Sequence, residues 1–395
     1  MFIQRTAENT FLNLLRQYPV VAVTGPRQSG KTTLVRHACP DKPYVLLEDL
    51  DVRQFAREDP RGFLAQYPDG AVLDEVQRCP DLLSYLQGIV DRDRRPSLFV
   101  LTGSQQFGVL SGVSQTLAGR VALLPLLPLS LKALEGAGLM PDSLPGMLWK
   151  GSYPPIYDRG YDPQAWYGNY VRTYLERDVR ELINVRDLST FQRFLRLCAG
   201  RSGQLVNLSG LAGDCGITHN TAKAWIAVLE ASYIVYLLQP HHQNFNKRLV
   251  KTPKLYFLDT GLASWLLGIH DPAQLALHPL HGSLFETLVV GEFLKARWHA
   301  GQEPQLYFWR DRSGHEVDLL IDQGRHIVPV EVKSGQTVAA DFLTPIKRWQ
   351  TLAGDVAGPA VLVYGGQVQQ ARTDCTVIPW RQLGSLEAPF RREIE

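Results

Sequence analysis

Five short runs of consecutive apolar residues stand out in the first third of the chain. They predict strands at 20–24, 44–47, 71–73, 98–102 and 121–124. Runs that are apolar at every position are typical of strands buried on both faces, as in parallel sheets that carry helices on each side. Residues 1–145 are therefore predicted to form an α/β unit around a buried sheet.

The middle of the chain has helical patterns instead. A helix rich in Tyr, Arg and Glu is predicted over 166–187, and we interpret 146–187 as a helical lid on the first unit. The segment 208–233 then has the pattern of a helix-turn-helix. Its first helix ends at Gly216, and Thr218 or Asn220 can cap the second helix.

Two strand-like segments, 234–240 and 254–259, follow the second helix and flank a basic hairpin. The basic residues of this hairpin are Lys247, Arg248, Lys251 and Lys254. Two helices followed by such a hairpin predict a winged helix over 188–260. A winged helix can place its second helix in the major groove of DNA and its wing on phosphates. The alternative is a winged helix that contacts only protein.

The last third of the chain, 261–395, alternates between helix and strand patterns. An amphipathic helix is predicted from Gly282, followed by strands at 306–309, 316–321 and 328–333. A further helix at 339–352 and an apolar strand at 360–364 complete the pattern. We expect an α/β/α layer arrangement for this part of the chain.

Composition narrows the class of protein. The chain has 395 residues, of which 45% are hydrophobic, and a formal net charge of +2. These values exclude a disordered or fibrous protein, and any binding of nucleic acid must rely on local basic patches. The five cysteines are scattered, and no segment approaches the ~20 apolar residues that span a bilayer. The sequence therefore predicts a cytoplasmic protein without disulfides and with no membrane partner.

The first predicted strand runs directly into a phosphate-binding pattern. Gly25 is followed after four residues by Gly30, Lys31 and Thr32, which is the G-x-x-x-x-G-K-[ST] P-loop between a strand and a helix. Backbone N–H groups of such a loop face phosphates, the Lys reaches the β- and γ-phosphates, and the Thr hydroxyl binds Mg²⁺. The sequence predicts ATP and Mg²⁺ as cofactors, held by Gly25, Pro26, Arg27, Gln28, Ser29, Gly30, Lys31, Thr32, Thr33 and Ser104.

Carboxylates follow the third predicted strand. Asp74 and Glu75 resemble a Walker B motif, in which Asp74 would hold the Mg²⁺ and Glu75 would polarise the attacking water. Ser104, which follows the fourth strand, or Thr102, which ends it, would sense the γ-phosphate. Arg120 precedes the fifth strand, where it is either an arginine finger that completes the site of a neighbouring subunit or a surface arginine.

These segments resemble a known family. The stretches GPRQSGKTTL, AVLDEVQRCPDLL, FVLTGSQQF and LAGRVALLPLLPLS look like AAA+-type ATPases whose C-terminal half carries a domain of unknown function. Later stretches, including NYVRTYLERDV and FWRDRSGHEVDLLI, look like that C-terminal half. The resemblance implies an AAA+ core that assembles as a homo-oligomer, with a hexameric ring as one arrangement. It covers nearly the whole chain.

A second chemical pattern lies in the C-terminal third. Asp318 is followed thirteen residues later by Glu331 and Lys333, each on a predicted strand, which resembles the PD-(D/E)xK nuclease core. Residues two apart on a strand share a face, so Glu331 and Lys333 point the same way. Asp318, Glu331 and Glu286 would bind a second Mg²⁺ or Mn²⁺ through oxygen, and Lys333 would be catalytic.

The functional prediction combines these patterns. We expect an ATPase that acts on DNA, including branched or broken DNA in repair or recombination, and that carries a nuclease-like C-terminal domain. Lys31, Glu75, Arg120 and Lys333 are the predicted catalytic residues. Two alternatives stay open, a signalling switch that does not translocate and a nuclease that ATP regulates.

Overall fold

The computed structural model of the protein describes residues 2–104, 117–175, 187–241 and 250–385. Within the first range and the start of the second, five parallel strands form one sheet in the order β2-β3-β4-β1-β5. The strands are β1 (Val20–Thr24), β2 (Tyr44–Leu46), β3 (Ala71–Asp74), β4 (Phe99–Gly103) and β5 (Val121–Pro125). All five predicted strands are confirmed. Because the strands are parallel, the residues that follow β1, β3 and β4 meet at one edge of the sheet.

Helices cover this sheet. They are α1 (Glu8–Gln17), α2 (Lys31–Ala38), α3 (Leu50–Glu58), α4 (Pro60–Ala65) and α5 (Leu82–Arg92). One face of the sheet packs Val21 and Val23 against α1 and α2, and the other packs Val20 and Ala22 among residues of α4 and α5. Burial on both faces explains why the strands are apolar at every position.

Short helices follow the sheet. They are α6 (Leu131–Gly136), α7 (Leu144–Lys150), α8 (Pro154–Asp158) and α9 (Pro163–Tyr170). The predicted lid helix begins at Pro163 rather than Trp166, because Asp162 accepts a hydrogen bond from the amide of Ala165 at 2.8 Å and caps it. After Tyr170 the helix widens into a π-type turn, Val171–Leu175. Residues 176–186 of the predicted lid helix lie outside the described residues.

The predicted helix-turn-helix is present as secondary structure. Helix α10 (Leu188–Ala199) and strand β6 (Gln204–Leu205) precede α11 (Leu208–Cys215) and α12 (His219–Ala231). Gly216 has φ 69° and ends α11. The hydroxyl oxygen of Thr218 accepts a hydrogen bond from the amide of Thr221 and caps α12. Strands β7 (Val235–Pro240) and β8 (Lys254–Phe257) then pair antiparallel. The hairpin residues His242, Lys247 and Arg248 lie outside the described residues.

The C-terminal part begins with α13 (Thr260–Leu266), α14 (Pro272–Ala276) and the long helix α15 (His281–His299). Strands β9 (Leu306–Arg310), β10 (Glu316–Asp322) and β11 (Ile327–Lys333) form an antiparallel meander. Helix α16 (Thr344–Ala353) connects β11 to β12 (Ala360–Tyr364), which pairs parallel with β11. Strands β13 (Gln370–Ala371) and β14 (Cys375–Pro379) complete the sheet. The predicted helix 339–352 starts later, after a 3₁₀ turn, because Pro345 lies in the first turn of α16.

One sheet joins the helix-turn-helix region to the C-terminal part. Strand β7 pairs antiparallel with β8 and parallel with β9, which gives nine strands in the order β13-β14-β12-β11-β10-β9-β7-β8-β6. The boundary predicted near residue 260 therefore lies within a continuous sheet. The predicted domain ranges stay predictions, but the two regions are hydrogen-bonded to each other.

Helix α15 also attaches the C-terminal part to the first unit. Glu292 accepts the amide of Leu131 at 2.9 Å, and Lys295 donates to the carbonyl oxygen of Leu129 at 2.8 Å. Lys295 and Glu292 pair with each other at 2.8 Å, and both side chains are at most 4% exposed. Apolar side chains of α15 share one hydrophobic core with Leu127 and Leu129. The helix is therefore fixed to the segment that follows β5.

We predict that Lys295→Met destabilises the whole chain. The substitution leaves the buried carboxylate of Glu292 without a counter-charge, and breaking a buried pair in this way costs about 3–5 kcal/mol. The free energy of unfolding in urea measures the effect. Arg95→Met is the control, because Arg95 pairs with Asp69 and Asp93 on the surface and its loss should leave the unfolding midpoint unchanged. Equal midpoint shifts for both variants would contradict the structural role of the buried pair.

Candidate functional sites

The loop between β1 and α2 requires glycine at two positions. Gly25 has φ 149°, and a Cβ atom there would lie 2.2 Å from the carbonyl oxygen of Leu126. Gly30 has φ 93°, and a Cβ atom there would lie 2.9 Å from Nη1 of Arg5. Only glycine adopts such a backbone without strain, so both glycines of the P-loop pattern shape the loop itself.

Lys31 is folded back onto this loop. Its Nζ donates to the carbonyl oxygens of Gly25 at 3.0 Å and Pro26 at 2.8 Å, and the side chain is buried. Ser29 is buried in the same loop, whereas Gln28 and Thr33 are exposed. The predicted phosphate-binding residues therefore form one compact turn before α2.

Asp74 lies at the end of β3, beside the first turn of α2. The hydroxyl of Thr32 donates to Asp74 Oδ2 at 2.9 Å, and the hydroxyls of Tyr44 and Thr102 donate to the same carboxylate. Burial raises the pKa of Asp74, while the Tyr44 and Thr32 hydroxyls lower it. A hydroxyl and a carboxylate in contact supply the oxygen donors that Mg²⁺ prefers, so these residues fit the predicted ion.

Glu75 follows Asp74 in a left-handed conformation, with φ 58°. The side-chain amide of Gln77 donates to the Glu75 carboxylate, and the hydroxyl of Ser104 lies 3.4 Å from it. Ser104 thus contacts Glu75 at the ends of β3 and β4, in the position expected of a residue that follows β4. Gln77 was not predicted, although it follows Glu75 by two residues.

Two further residues support the P-loop without a recognisable sequence signal. The buried guanidinium of Arg5 donates to the carbonyl oxygens of Ser29, at 2.5 Å, and Leu127. Burial lowers the pKa of Arg5 to about 10. Thr24 at the end of β1 shares a 2.7 Å hydrogen bond with the hydroxyl of Tyr233, the residue that precedes β7 by two positions. The P-loop strand is thereby linked to the helix-turn-helix region.

Arg120 lies at the opposite edge of the sheet. It precedes β5, which runs parallel to β1, so it is near the amino ends of the strands whereas the P-loop follows a carboxyl end. Its Nε pairs with Asp91 on α5, and its Nη1 donates to the carbonyl oxygen of Ala118 at 3.0 Å. Within one chain, Arg120 is therefore remote from the P-loop.

A second group of polar residues lies where α15 meets β10 and β11. Oxygen atoms of Glu286, Glu316 and Asp318 lie within 4.8 Å of one another. Glu331 lies beside them on β11, and its Oε2 is buried without a hydrogen-bond partner among the residues that the structure describes. Glu286, Asp318 and Glu331, predicted from separate elements, are brought together. Glu316 was missed, although its spacing of two from Asp318 places both on one face of β10.

Two lysines contact this carboxylate cluster, which comprises Glu286, Glu316, Asp318 and Glu331. Lys333 Nζ lies 2.6 Å from Glu331 Oε1. Lys254 Nζ lies 3.0 Å from Glu286 Oε1 and also pairs with Glu316.

The position of Lys254 corrects the sequence analysis, which assigned it to an exposed basic wing. The side chain is 2% exposed. It is buried because β8 lies inside the sheet, between β7 and β6, and its side chain is held against Glu286 of α15. Lys251 remains exposed, as predicted.

The cluster has more carboxylates than basic side chains in contact with them. Burial and the neighbouring Asp318 raise the pKa of Glu331 to about 8. Burial, opposed by Lys254, raises the pKa of Glu286 to about 7. Burial also raises the pKa of Asp318. A bound cation would relieve this crowding of carboxylates, and the oxygen donors with one unpartnered Glu331 atom fit a divalent ion such as Mg²⁺ or Mn²⁺.

Sequence comparison shows which class of protein domain the first unit belongs to. Residues 17–134 match the family described as AAA domain, so the P-loop belongs to an AAA-type ATPase domain. Residues 141–273 and 281–383 match two families described as domains of unknown function, DUF8612 and DUF4143. No helix in the described residues is long and apolar enough to cross a membrane.

The chain also has relatives that match along most of their length. It is 32% identical over 340 residues to "Uncharacterized protein Rv2008c" of Mycobacterium tuberculosis, covering 85% of this chain and 74% of the relative. The same values hold for "Uncharacterized protein Mb2031c" of Mycobacterium bovis. The chain belongs to the same protein family as these two mycobacterial proteins.

Two solved structures resemble the chain at low identity. The Walker-type ATPase PABY2304 of Pyrococcus abyssi has a TM-score of 0.46 and 15% identity, covering 67% of this chain and 96% of that chain. AMPPCP-bound DnaA from Aquifex aeolicus has a TM-score of 0.30 and 15% identity, covering 57% and 85%. Both scores are too low to indicate a shared fold for whole chains, so the assignment to a class rests on the sequence matches.

Proposed function

We propose that the protein hydrolyses ATP at its AAA domain and acts on DNA phosphodiesters at its C-terminal carboxylate cluster. The observation that carries the second part is the convergence of Glu286, Asp318, Glu331 and Lys333, which come from α15, β10 and β11. The first part rests on the contact between Thr32 and Asp74 beside the P-loop.

At the P-loop, each residue has a proposed role. Lys31 releases the loop carbonyls and binds the β- and γ-phosphates of ATP. Thr32 and Asp74 hold the Mg²⁺, which offsets the charge of the phosphates. Glu75 polarises the attacking water, and its contacts with Gln77 and Ser104 support this role because they hold the carboxylate at the sheet edge where β1 also ends.

Substitution of Glu75 tests the hydrolysis step. Glu75→Gln should bind ATP with unchanged affinity and hydrolyse it about 10²-fold more slowly or worse, because only the group that accepts the proton is lost. Lys31→Ala should lose nucleotide binding itself. Steady-state phosphate release and binding of a fluorescent ATP analogue measure the two effects. Glu58→Gln, an exposed acid on α3, is the matched control. Wild-type turnover by Glu75→Gln would disprove its role.

We further propose that the protein is a homo-oligomer in which Arg120 enters the ATP site of a neighbouring subunit. The position of Arg120 far from its own P-loop supports action between chains, and its pairing with Asp91 would hold it at the surface until subunits meet. The guanidinium would stabilise charge on the transferred phosphoryl group.

Mixed oligomers test this proposal. Arg120→Ala should lower ATP hydrolysis by about 10³-fold. Mixing it with Lys31→Ala should restore part of the activity, because an intact P-loop on one subunit can then meet an intact Arg120 on another. Hydrolysis by the mixture and mass in solution with ATP are the measurements. A monomer that hydrolyses ATP at the wild-type rate would refute an oligomeric site.

The order of elements supports the nuclease-like part of the proposal. Helix α15, strands β9 to β11, helix α16 and strand β12 follow one another as α-β-β-β-α-β, with β11 and β12 parallel. Asp318 on β10 and Glu331 with Lys333 on β11 therefore lie on neighbouring hydrogen-bonded strands, which supports this part of the proposal. A divalent cation at Asp318 and Glu331 would act as Lewis acid, and Lys333 would orient the water or stabilise the transition state.

DNA as the partner is supported by the helix-turn-helix elements and the exposed Lys251. Neutralising Lys251 together with Arg248 should lower the salt slope of DNA binding by about two, because each phosphate contact releases condensed counterions. Asp318→Asn should abolish Mn²⁺-dependent DNA cleavage and leave DNA affinity unchanged. Salt-dependent binding and cleavage assays on single-stranded, duplex and junction DNA measure both.

Asp322→Asn is the matched control for cleavage, because Asp322 lies on the same strand about 13 Å further along. If no DNA form binds in the presence of ATP, the DNA proposal fails. The hydrogen bond between Thr24 and Tyr233 would then favour the second candidate, a signalling switch in which ATP alters the C-terminal half without translocation. Cleavage that survives Lys31→Ala would instead favour a nuclease regulated by ATP.

A further inference from the structure

Lys254 supplies a positive charge to the carboxylate cluster from outside the elements that carry the cluster. It lies at the start of β8, where it pairs in register with Leu205 of β6 and Leu238 of β7. It belongs to the region that matches DUF8612, whereas the carboxylates belong to the region that matches DUF4143. Its 2% exposure excludes a role in contacting a bound macromolecule directly.

The contacts divide the cluster into two halves. In one half, Lys254 Nζ binds Glu286 and Glu316, the hydroxyl of Tyr256 donates to Glu286, and Arg310 pairs with Glu316 at 3.0 Å. These two carboxylates already have positive or donor partners.

The other half of the cluster comprises Asp318 and Glu331. Asp318 Oδ2 accepts the amide of Val332 at 2.9 Å, and Glu331 Oε1 accepts from Lys333. Glu331 Oε2 is buried with no hydrogen-bond partner in the described part of the chain. A buried carboxylate oxygen without a partner costs free energy. A cation bound in this half would therefore stabilise it.

In the first half of the cluster, the distances do not allow the Lys254 ammonium and a divalent metal ion to bind at the same time. A hard divalent ion needs carboxylate oxygens at about 2.0–2.6 Å. The ammonium of Lys254 lies between Glu286 and Glu316, whose oxygens are within 4.8 Å of each other and of Asp318. An ion at these three carboxylates would fall on the ammonium, and like charges at such distances repel strongly in a buried site.

We propose that Lys254 is a built-in second cation of the carboxylate cluster, so that the cluster binds one divalent ion, between Asp318 and Glu331, rather than two. The inference rests on the proposed metal site and defines its stoichiometry. In the proposed reaction, Lys254 would offset charge where a second metal ion would otherwise lie.

Counting bound metal tests the proposal. In the absence of nucleotide, the wild-type chain should bind one Mn²⁺ that is lost in Asp318→Asn. Lys254→Met should bind two, because removal of the ammonium opens Glu286 and Glu316 to a second ion. Equilibrium dialysis with elemental analysis, checked by the spin-resonance signal of free Mn²⁺, gives the number. Lys347→Met, at an exposed lysine that pairs with Asp374 on the surface, should still bind one.

Lys254→Gln is the second variant, since its amide can still donate to Glu286 and support folding while the charge is lost. In both variants, Mn²⁺ should raise the thermal midpoint more than it does in the wild type. Two ions in the wild type, or one ion in every variant, would overturn the role of Lys254 and leave the metal site standing. No ion in any of these proteins would overturn the metal site as well.

Discussion

Helix α15 is attached to both halves of the molecule, and this attachment fixes the C-terminal sheet to the AAA domain. Near its start, Glu286 enters the carboxylate cluster. About two turns later, Glu292 and Lys295 bind the backbone that follows β5. A buried ion pair is a poor source of net stability, but a misplaced partner would leave a buried charge uncompensated, at a high cost in free energy. The pair therefore sets the position of the C-terminal sheet relative to the AAA domain.

The same helix packs against the ATP-binding unit and also carries part of the carboxylate cluster. Apolar side chains of α15 share a core with the segment after β5, and β7 hydrogen-bonds to β9. The direct link between Thr24 and Tyr233 adds a contact at the strand that leads into the P-loop. A change in the P-loop on binding nucleotide would therefore act on elements that are packed directly against the C-terminal half.

Electrostatics distinguishes the two sites. At the P-loop, one buried carboxylate, Asp74, is surrounded by hydroxyl donors, so a single Mg²⁺ and its nucleotide complete the site. In the C-terminal cluster, four carboxylates share two buried or half-buried lysines, and burial together with the neighbouring carboxylates raises the pKa values of Glu286 and Glu331. The proposed divalent cation would offset the excess of acid there, whereas the P-loop would take an anion with its counter-ion.

The strands of the AAA domain, the P-loop and Asp74 with Glu75 could be predicted from the sequence. The same holds for the elements that carry Glu286, Asp318, Glu331 and Lys333. These features depend on local patterns: apolar runs, glycines with positive φ, and residues two apart on a strand. The contacts of Arg5, Tyr233, Glu316 and Lys254 are visible only in the three-dimensional structure. Their partners lie far away in the chain, and a lysine in a basic stretch has the same local pattern whether it faces solvent or carboxylates. Lys254 is buried because β8 happens to lie inside a nine-stranded sheet beside α15, and strand order across a sheet is set by long-range packing that no short stretch of sequence records.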